Sequence, residues 1–323
     1  MQQNSSFSIL HSPFSNIIFG PIYSRRFGKS LGVDVSPSKK QCNFDCLYCE
    51  LAKAKTISSQ EEVIPVDSII SAIQDALKEH NDIDVLTITA NGEPTLYPYL
   101  DELIDRINEF KGSIKTLILS NGSTINDKSI QKTLCKFDEV KLSLDCATAK
   151  CLRRLDRGHK SIDIEDIKRG MLEFGKIYDK ELIVEILLVE GINDDEENIL
   201  KLNEFLLKLK PHRIDIGTID RPPAYDVKPL SYEKMYEISL KFDASLPIYI
   251  VSRHKQKARA SNYSQDEIVS TLAKRPLSMD DIDALFDSDS KKLFECMLKD
   301  GKIDKIHTNG VVFYKNALKT LDK

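Results

Sequence analysis

Three cysteines lie within eight residues of the chain, at Cys42, Cys46 and Cys49, in the segment CNFDCLYC. Two thiols would suffice for a disulfide, and a structural zinc site normally takes four Cys or His ligands. Three thiolates on one loop can hold three irons of a [4Fe–4S] cluster, which leaves the fourth iron open to a small chelating molecule. Buried thiols without any ligand are the alternative, because the spacing alone does not decide between the two.

A second segment, TITANGEPTLYP, places Gly92, Glu93 and Pro94 directly after an apolar run that is typical of a strand. A glycine lets the backbone approach a ligand closely, and a carboxylate can pair with an ammonium group. An ordinary acidic loop residue is the alternative for Glu93. The tripeptide follows the cysteines by one strand–helix unit, so we expect both segments at the same end of the fold.

Six short apolar runs alternate with helical patterns in the first 250 residues. Strands are predicted near 31–36, 85–90, 115–121, 139–144, 182–190 and 213–219, and helices near 66–80, 98–110, 163–178 and 195–209. This alternation predicts a parallel α/β sheet with right-handed crossovers. A doubly wound sheet and an incomplete barrel both fit the pattern, and in both the ligand site lies at the carboxyl ends of the strands.

The chain changes character near residue 262. Ser264 and Glu267 form a capping-box pattern before a short helix, two more short amphipathic patterns follow, and Asn309–Gly310 separates two alternating strands. Three helices followed by a hairpin are typical of a winged helix. The sequence therefore predicts a core domain over 1–260 and a small winged-helix-like domain over 262–323 with an apolar core of its own.

The composition is that of an ordinary globular protein, with 41% hydrophobic residues, 30% charged residues and a net charge of −4. No apolar run of about 18 residues is present, which argues against a membrane span. The first twenty residues lack the pattern of a secretory signal. Seven cysteines, an odd number, then argue for a reducing cytoplasm and against a disulfide framework.

With both motifs in place, the sequence resembles the radical SAM superfamily over about residues 18–250. The resemblance implies a partial (β/α)6 TIM-like barrel and a [4Fe–4S] cluster on Cys42, Cys46 and Cys49. It also implies that S-adenosylmethionine chelates the open iron. Reductive cleavage would then give a 5′-deoxyadenosyl radical that abstracts hydrogen from a substrate. The electron would come from a partner such as flavodoxin or ferredoxin.

The resemblance also assigns residues to the cofactor. Tyr48 would lie against the adenine, and Gly92, Glu93 and Pro94 would receive the methionine ammonium. Polar residues at the strand ends are further candidates, namely Asn121, Ser143 and Asn193, of which the last two are expected to contact the ribose or the carboxylate. Each of these three has an alternative as a turn or cap residue.

Basic residues follow the fourth and sixth predicted strands. We expect substrate contacts from Arg153, Arg154, His159 and Arg221, and the basic segments YSRRFGKS, RRLDRGHK and SRHKQKAR keep a phosphate-bearing substrate such as RNA in consideration. Solvated surface is the alternative for each segment. Arg25 and Arg26 could bind a phosphate or carboxylate of the substrate, or they could pair with acidic neighbours.

A narrower resemblance, in FGPIYSRRFGKSLGVDVSP and LRRLDRGH, is to proteins related to the tRNA wyosine-forming synthases. Those enzymes carry further cysteines upstream, whereas here none precedes Cys42. A second metal at Cys146 and Cys151 is disfavoured. A different function class also stays open, that of a non-catalytic iron–sulfur redox sensor with the winged helix as its output. The acidic residues of that domain favour contact with a protein over contact with a phosphate backbone.

Overall fold

The computed structural model describes residues 17–24, 27–250, 260–308 and 311–317. Several features predicted from the sequence lie outside these residues: Arg25, Arg26, the whole of SRHKQKAR and the turn Asn309–Gly310.

Eight strands form one sheet in chain order. They are β1 (Ile18–Ser24), β2 (Gly28–Asp34), β3 (Val85–Thr89), β4 (Lys115–Ser120), β5 (Glu139–Ser143), β6 (Glu181–Leu188), β7 (Arg213–Thr218) and β8 (Ile248–Ile250). β1 pairs antiparallel with β2, and every later neighbour is parallel. β2 to β7 are the six predicted strands. The order never reverses, which excludes the doubly wound alternative. It is the order that a barrel wall requires, and the barrel itself stays a prediction.

Seven helices of the described residues connect these strands. They are α1 (Val66–Glu79), α2 (Leu100–Phe110), α3 (Lys128–Leu134), α4 (Ala149–Leu155), α5 (Ile164–Ile177), α6 (Glu196–Leu209) and α7 (Tyr232–Ser239). α1 buries Ile69, Ile70 and Ile73 on one face, as helical spacing predicts. Asp163 caps α5 by accepting a hydrogen bond from the amide of Glu165. The sequence analysis missed α3 and α4, because seven residues are too few to show a period.

The C-terminal unit contains three helices and a three-stranded antiparallel sheet. Its elements are α8 (Gln265–Lys274), β9 (Leu277–Ser278), α9 (Met279–Leu285), α10 (Ser288–Lys299), β10 (Ile303–Thr308) and β11 (Val311–Asn316), with sheet order β10–β11–β9. The predicted capping box of Ser264 and Glu267 is present at α8. The helices and the hairpin lie where the sequence predicts them, and the winged-helix assignment stays a prediction.

The C-terminal unit has a buried apolar cluster apart from that of the large sheet and its helices, as expected, but this cluster also takes in residues of β1. Ile22 of β1 belongs to the same buried apolar cluster as Ile268 and Phe286, and Phe19 and Tyr23 pack against it. The physical reason is that β1 is an edge strand whose apolar side chains need cover, which α8 provides. The expected boundary near residue 260 therefore lies between two apolar clusters, the second of which also contains β1 residues, and it stays a prediction.

Cys146 and Cys151 form a disulfide, with their Cα atoms 5.4 Å apart. The expectation of a chain without disulfides is wrong at this position. Thr148 caps α4 by accepting a hydrogen bond from the amide of Cys151 at 3.1 Å, which turns the chain back towards Cys146. Across the described residues, no helix is both long enough and apolar enough to cross a membrane.

Candidate functional site

The loop that carries the three cysteines follows β2 and is held by backbone hydrogen bonds from several directions. The amide of Ile57 donates to the carbonyl of Cys42 at 3.0 Å, and that of Ala224 donates to the carbonyl of Cys49 at 2.8 Å. Two more bonds join the middle of the loop to the end of α4, from the amides of Asp45 and Leu47 to the carbonyls of Asp156 and Leu155 at 3.0 and 2.9 Å. The loop is therefore ordered by the protein itself.

The Gly-Glu-Pro segment lies directly against this loop. Gln41 pairs with Gly92 in a parallel bridge, in which the amide of Gln41 donates to Asn91 and the amide of Glu93 donates to Gln41, at 2.8 and 3.0 Å. Gly92 has a φ of 142°, and a Cβ atom there would lie 2.0 Å from the carbonyl oxygen of Gln41. Only glycine fits this approach. The two motifs that the sequence analysis singled out are thus joined, because Gln41 immediately precedes Cys42.

The carboxylate of Glu93 is buried and accepts four hydrogen bonds. Its Oε1 accepts from the amide and hydroxyl of Thr95 at 3.0 and 2.6 Å and from the hydroxyl of Ser120 at 2.8 Å. Its Oε2 accepts from the amide of Asn121 at 2.7 Å. Burial raises the pKa of Glu93, and these donors oppose that shift. Glu93 therefore orders the ends of β3 and β4, a structural role that the sequence analysis did not anticipate.

Asn121 connects the carboxylate to the cysteine loop. Its side-chain amide lies 3.7 Å from the sulfur of Cys42 and donates to the side chain of Asn43 at 2.9 Å. Asn121, Glu93 and Cys42, which lie far apart in the sequence, are brought together here at the carboxyl ends of the strands.

Cys42, Cys46 and Cys49 are free thiols. Burial raises the pKa of Cys42 to about 12, raises that of Cys46 well above its ordinary value and also raises that of Cys49. Lys40 lies nearby and forms an ion pair with Asp45 at 3.5 Å. Thiols in such surroundings stay protonated at neutral pH unless a metal takes the place of the proton.

A small pocket of about 20 Å³, room for roughly one water molecule, is lined in part by residues of the cysteine loop. Its lining includes Tyr48, Asn121 and Ser143, three of the residues predicted for the cofactor. Asp145 and Asp156 also line it, and the hydroxyl of Tyr48 donates to Asp145. Burial raises the pKa of Asp145 to about 7, although the amide of Leu187 and the Tyr48 hydroxyl act in the opposite direction.

Asn193 has a different role from the one that we expected. It is fully buried, its side-chain oxygen accepts from the amide of Val189 at 2.8 Å, and its side-chain nitrogen donates to the carbonyls of Asp145 and Leu187 at 3.0 and 2.9 Å. Because these bonds occupy the whole amide group, Asn193 shapes the turn after β6. A polar residue at a strand end here satisfies the backbone, which is the turn-residue alternative that the sequence analysis left open.

The four basic residues predicted for the substrate separate into two groups. Arg221 lies beside the cysteine loop, 3.3 Å from the carboxylate of Glu50, and the amide of His159 donates to the carbonyl of Asn43 at 2.7 Å. Arg153 and Arg154 are exposed on α4, and Arg154 donates to the carbonyl of Gly191 at 2.9 Å. Only the first two are tied to the loop in this way.

Further residues that the sequence analysis did not assign to the site also contact the loop. Arg157 lies 3.5 Å from Asp45, and its guanidinium stacks 4.7 Å from the ring centre of Tyr225. Tyr225 in turn donates a hydrogen bond to Asp45. The only sequence signal for this cluster was the basic segment RRLDRGHK, which contains Arg157.

The donor set fits a cluster better than a single ion. Among the described residues, the sulfur atoms of Cys42, Cys46 and Cys49 do not all lie within 4.8 Å of one another, as ligands of one ion would. Three separate thiols beside a glycine whose Cβ position is filled by the loop backbone suit three irons and a ligand held close to the main chain.

Comparison with known proteins agrees with this donor set. The family model described as the radical SAM superfamily matches residues 37–202. The chain therefore belongs to the radical SAM superfamily, whose members perform S-adenosylmethionine-dependent radical chemistry with a [4Fe–4S] cluster.

The chain is similar to proteins named UPF0026. It is 45% identical to the one from Helicobacter pylori (strain 26695), over 92% of this chain and 97% of that one. It is 31% identical to the one from Methanocaldococcus jannaschii, over 95% and 98%. Its fold is similar to that of Streptococcus suis SuiB bound to the precursor peptide SuiA, with a TM-score of 0.53 and 20% identity over 67% of this chain and 48% of that one. The chain thus spans about half the length of SuiB.

Proposed function

We propose that this chain is an enzyme that binds a [4Fe–4S] cluster through Cys42, Cys46 and Cys49 and binds S-adenosylmethionine beside Gly92, Glu93 and Pro94. The observation that carries the proposal is the bridge between Gln41 and Gly92, which places three free thiols against the Gly-Glu-Pro segment. When bound, the cluster and S-adenosylmethionine supply a 5′-deoxyadenosyl radical that abstracts hydrogen from the substrate.

The residues of this chain contribute position and exclusion of water. In our proposal the glycine at 92 lets the main chain approach the methionine group, and Glu93 provides the negative charge for its ammonium. Tyr48, Asn121 and Ser143, which line one cavity, are proposed contacts for the nucleoside. Asn193 supports the same region by fixing the turn after β6.

The proposed substrate carries phosphate, and RNA is the class that we favour. Arg221 and His159 are the preferred contacts because both lie at the cysteine loop, and for the exposed Arg153 and Arg154 we propose a more peripheral contact. Flavodoxin or ferredoxin is the proposed reductant. A strain that lacks the protein should lose one modified nucleoside from its RNA, and an unchanged nucleoside profile would reject RNA as the substrate class.

The C-terminal unit has the element order of a winged helix, and we propose that it is one. Its contact with β1 and with the end of β2 favours a second candidate function, a redox sensor in which the state of the cluster is transmitted to this unit. Such a sensor would need the cysteines but would not need to bind the ammonium group of methionine.

The test that separates the two is S-adenosylmethionine cleavage by anaerobically reconstituted, dithionite-reduced protein. The enzyme should release 5′-deoxyadenosine, Cys42→Ala should abolish the release and Cys135→Ala should retain it. A reconstituted protein that holds its cluster but neither binds nor cleaves S-adenosylmethionine would favour the sensor.

A further inference from the structure

The carboxylate of Asp34 connects the two segments of the candidate site. Asp34 ends β2 and is only 1% exposed. Its Oδ1 accepts hydrogen bonds from the amides of Ser36 at 2.7 Å and Asn91 at 2.9 Å. One oxygen therefore holds the start of the cysteine loop and the residue before Gly92 at the same point.

The two amides lead directly to the bridge at Gln41. The side-chain nitrogen of Gln41 donates to the hydroxyl of Ser36 at 2.9 Å, and its main-chain amide donates to the carbonyl of Asn91 at 2.8 Å. Asp34, Ser36, Asn91 and Gln41 thus form one closed hydrogen-bonded network. A shift of Asp34 would change the position of Cys42 relative to Gly92.

The other oxygen of Asp34 is paired with a lysine from the C-terminal unit. Lys274, the last residue of α8, donates to Oδ2 of Asp34 and lies 3.3 Å from the carbonyl of Pro37. Its side chain is 11% exposed, so the ion pair is largely excluded from solvent. Other contacts dock α8 beside it: the amide of Gly20 donates to the hydroxyl of Thr271 at 3.3 Å.

We propose that Lys274 is a positioning residue of the cofactor site, through which the C-terminal unit holds the cysteine loop against the Gly-Glu-Pro segment. The assignment of that site rests on the proposed function, whereas the effect of Lys274 on the network does not. A buried carboxylate that loses its cation is strongly disfavoured. Without Lys274, Asp34 turns towards water and releases the amides of Ser36 and Asn91. A ligand of the C-terminal unit that moves α8 would act on the cofactor site by the same route.

The experiment compares Lys274→Met, which keeps the length of the side chain and removes its charge, with His80→Ala. His80 contacts Glu267 of the same helix α8 at 2.7 Å, so its loss weakens docking without touching Asp34. Lys274→Arg keeps the cation and should behave as the wild type. Asp34→Asn removes the charge at the other end of the pair.

The first measurement is S-adenosylmethionine affinity of cluster-loaded protein by equilibrium dialysis. Energetic coupling between sites is typically 5–150-fold, so Lys274→Met should weaken binding at least about fivefold. Asp34→Asn should weaken it similarly, and the double variant should show no further loss. His80→Ala should stay within about twofold. Equal effects of Lys274→Met and His80→Ala would overturn the proposal, because they would show general docking only.

The second measurement uses the cluster-free protein, so it remains informative if the proposed function is wrong. Hydrogen exchange of the amides of Ser36 and Asn91 should be at least about fivefold faster in Lys274→Met than in His80→Ala. Wild-type exchange rates in Lys274→Met would overturn the positioning role. Failure of the wild type to bind S-adenosylmethionine, with the exchange difference present, would instead reject the proposed function alone.

Discussion

Glu93→Gln separates the structural role of this carboxylate from its proposed role in binding. The amide is nearly isosteric, and its oxygen can take the place of Oε1 and keep the three donors from Thr95 and Ser120. Its nitrogen then faces the amide of Asn121, which donates to Oε2 at 2.7 Å. One charge-assisted hydrogen bond, worth about 1.5–3 kcal/mol, is lost.

Desolvation opposes this loss of stability. The pKa of Glu93 is raised, since burial outweighs the donors around it, so the charged form is less favourable in this site than it is in water. Removal of the buried charge therefore offsets most of the lost hydrogen bond. We expect the free energy of unfolding to change by no more than about 1 kcal/mol. A bound ammonium would still lose its charged partner, which should weaken S-adenosylmethionine binding about ten- to a hundredfold.

The assay is equilibrium dialysis of cluster-loaded protein together with urea unfolding of the cluster-free protein. Thr95→Val is the matched control, because it removes a donor to the same carboxylate and leaves the charge in place; its affinity should stay within about threefold of the wild type. An unchanged affinity in Glu93→Gln, with stability lowered by about 3 kcal/mol or more, would refute the reasoning and leave Glu93 a purely structural residue.

Three further predictions concern the cluster, the C-terminal unit and pH. Reconstitution should give about four irons per chain, lost on changing any of the three loop cysteines to Ala but kept in Cys135→Ala; about eight irons would contradict a single cluster. A fragment ending near residue 260 should melt at least roughly 3 °C lower, because Ile22 is uncovered; an equal melting temperature would contradict a stabilising contact between β1 and the C-terminal cluster. The pKa of Asp145 is raised by burial to about 7, so the folded state binds a proton that the unfolded chain has released. Stability of the cluster-free protein should therefore fall from about pH 4 to pH 7, by up to about 4 kcal/mol. Burial also raises the pKa of Asp156, which acts in the same direction, so urea unfolding should show a shallower fall in Asp145→Asn than in the wild type; an unchanged slope would contradict the assignment.

The sequence was sufficient for the features that depend on local pattern. β6, with its near-continuous apolar run, and α1, with its buried isoleucines, were predicted within two residues of their bounds. β1 was missed because its residues, IFGPIYS, show neither a period nor a long apolar run. The antiparallel pairing of β1 and the α8 helix that covers it are both long-range features.

In the candidate site, too, local sequence patterns could be recognised and long-range contacts could not. Cysteine spacing and the Gly-Glu-Pro tripeptide can be recognised in a single sequence. The carboxylate–lysine pair of Asp34 and Lys274 spans 240 positions, and no short pattern marks either residue. Polar residues at strand ends can be picked out in the sequence, but their roles cannot. The side chain of Asn121 lies near Cys42, whereas that of Asn193 bonds to the backbone, and only the structure distinguishes the two.

The free energy of cluster binding depends on the hydrogen bonds that hold the cysteine loop and on the protonation of its thiols. The backbone bonds to Cys42, Asp45, Leu47 and Cys49 are made by the protein's own main chain, so they reduce the chain entropy that cluster binding has to remove. The main opposing cost is the removal of protons from three buried thiols, whose pKa values burial raises. Binding should therefore release protons and grow stronger as pH rises. These bonds also make the proposed role of Lys274 physically reasonable, because the pair of Lys274 with Asp34 can set the position of a loop that the main chain already holds.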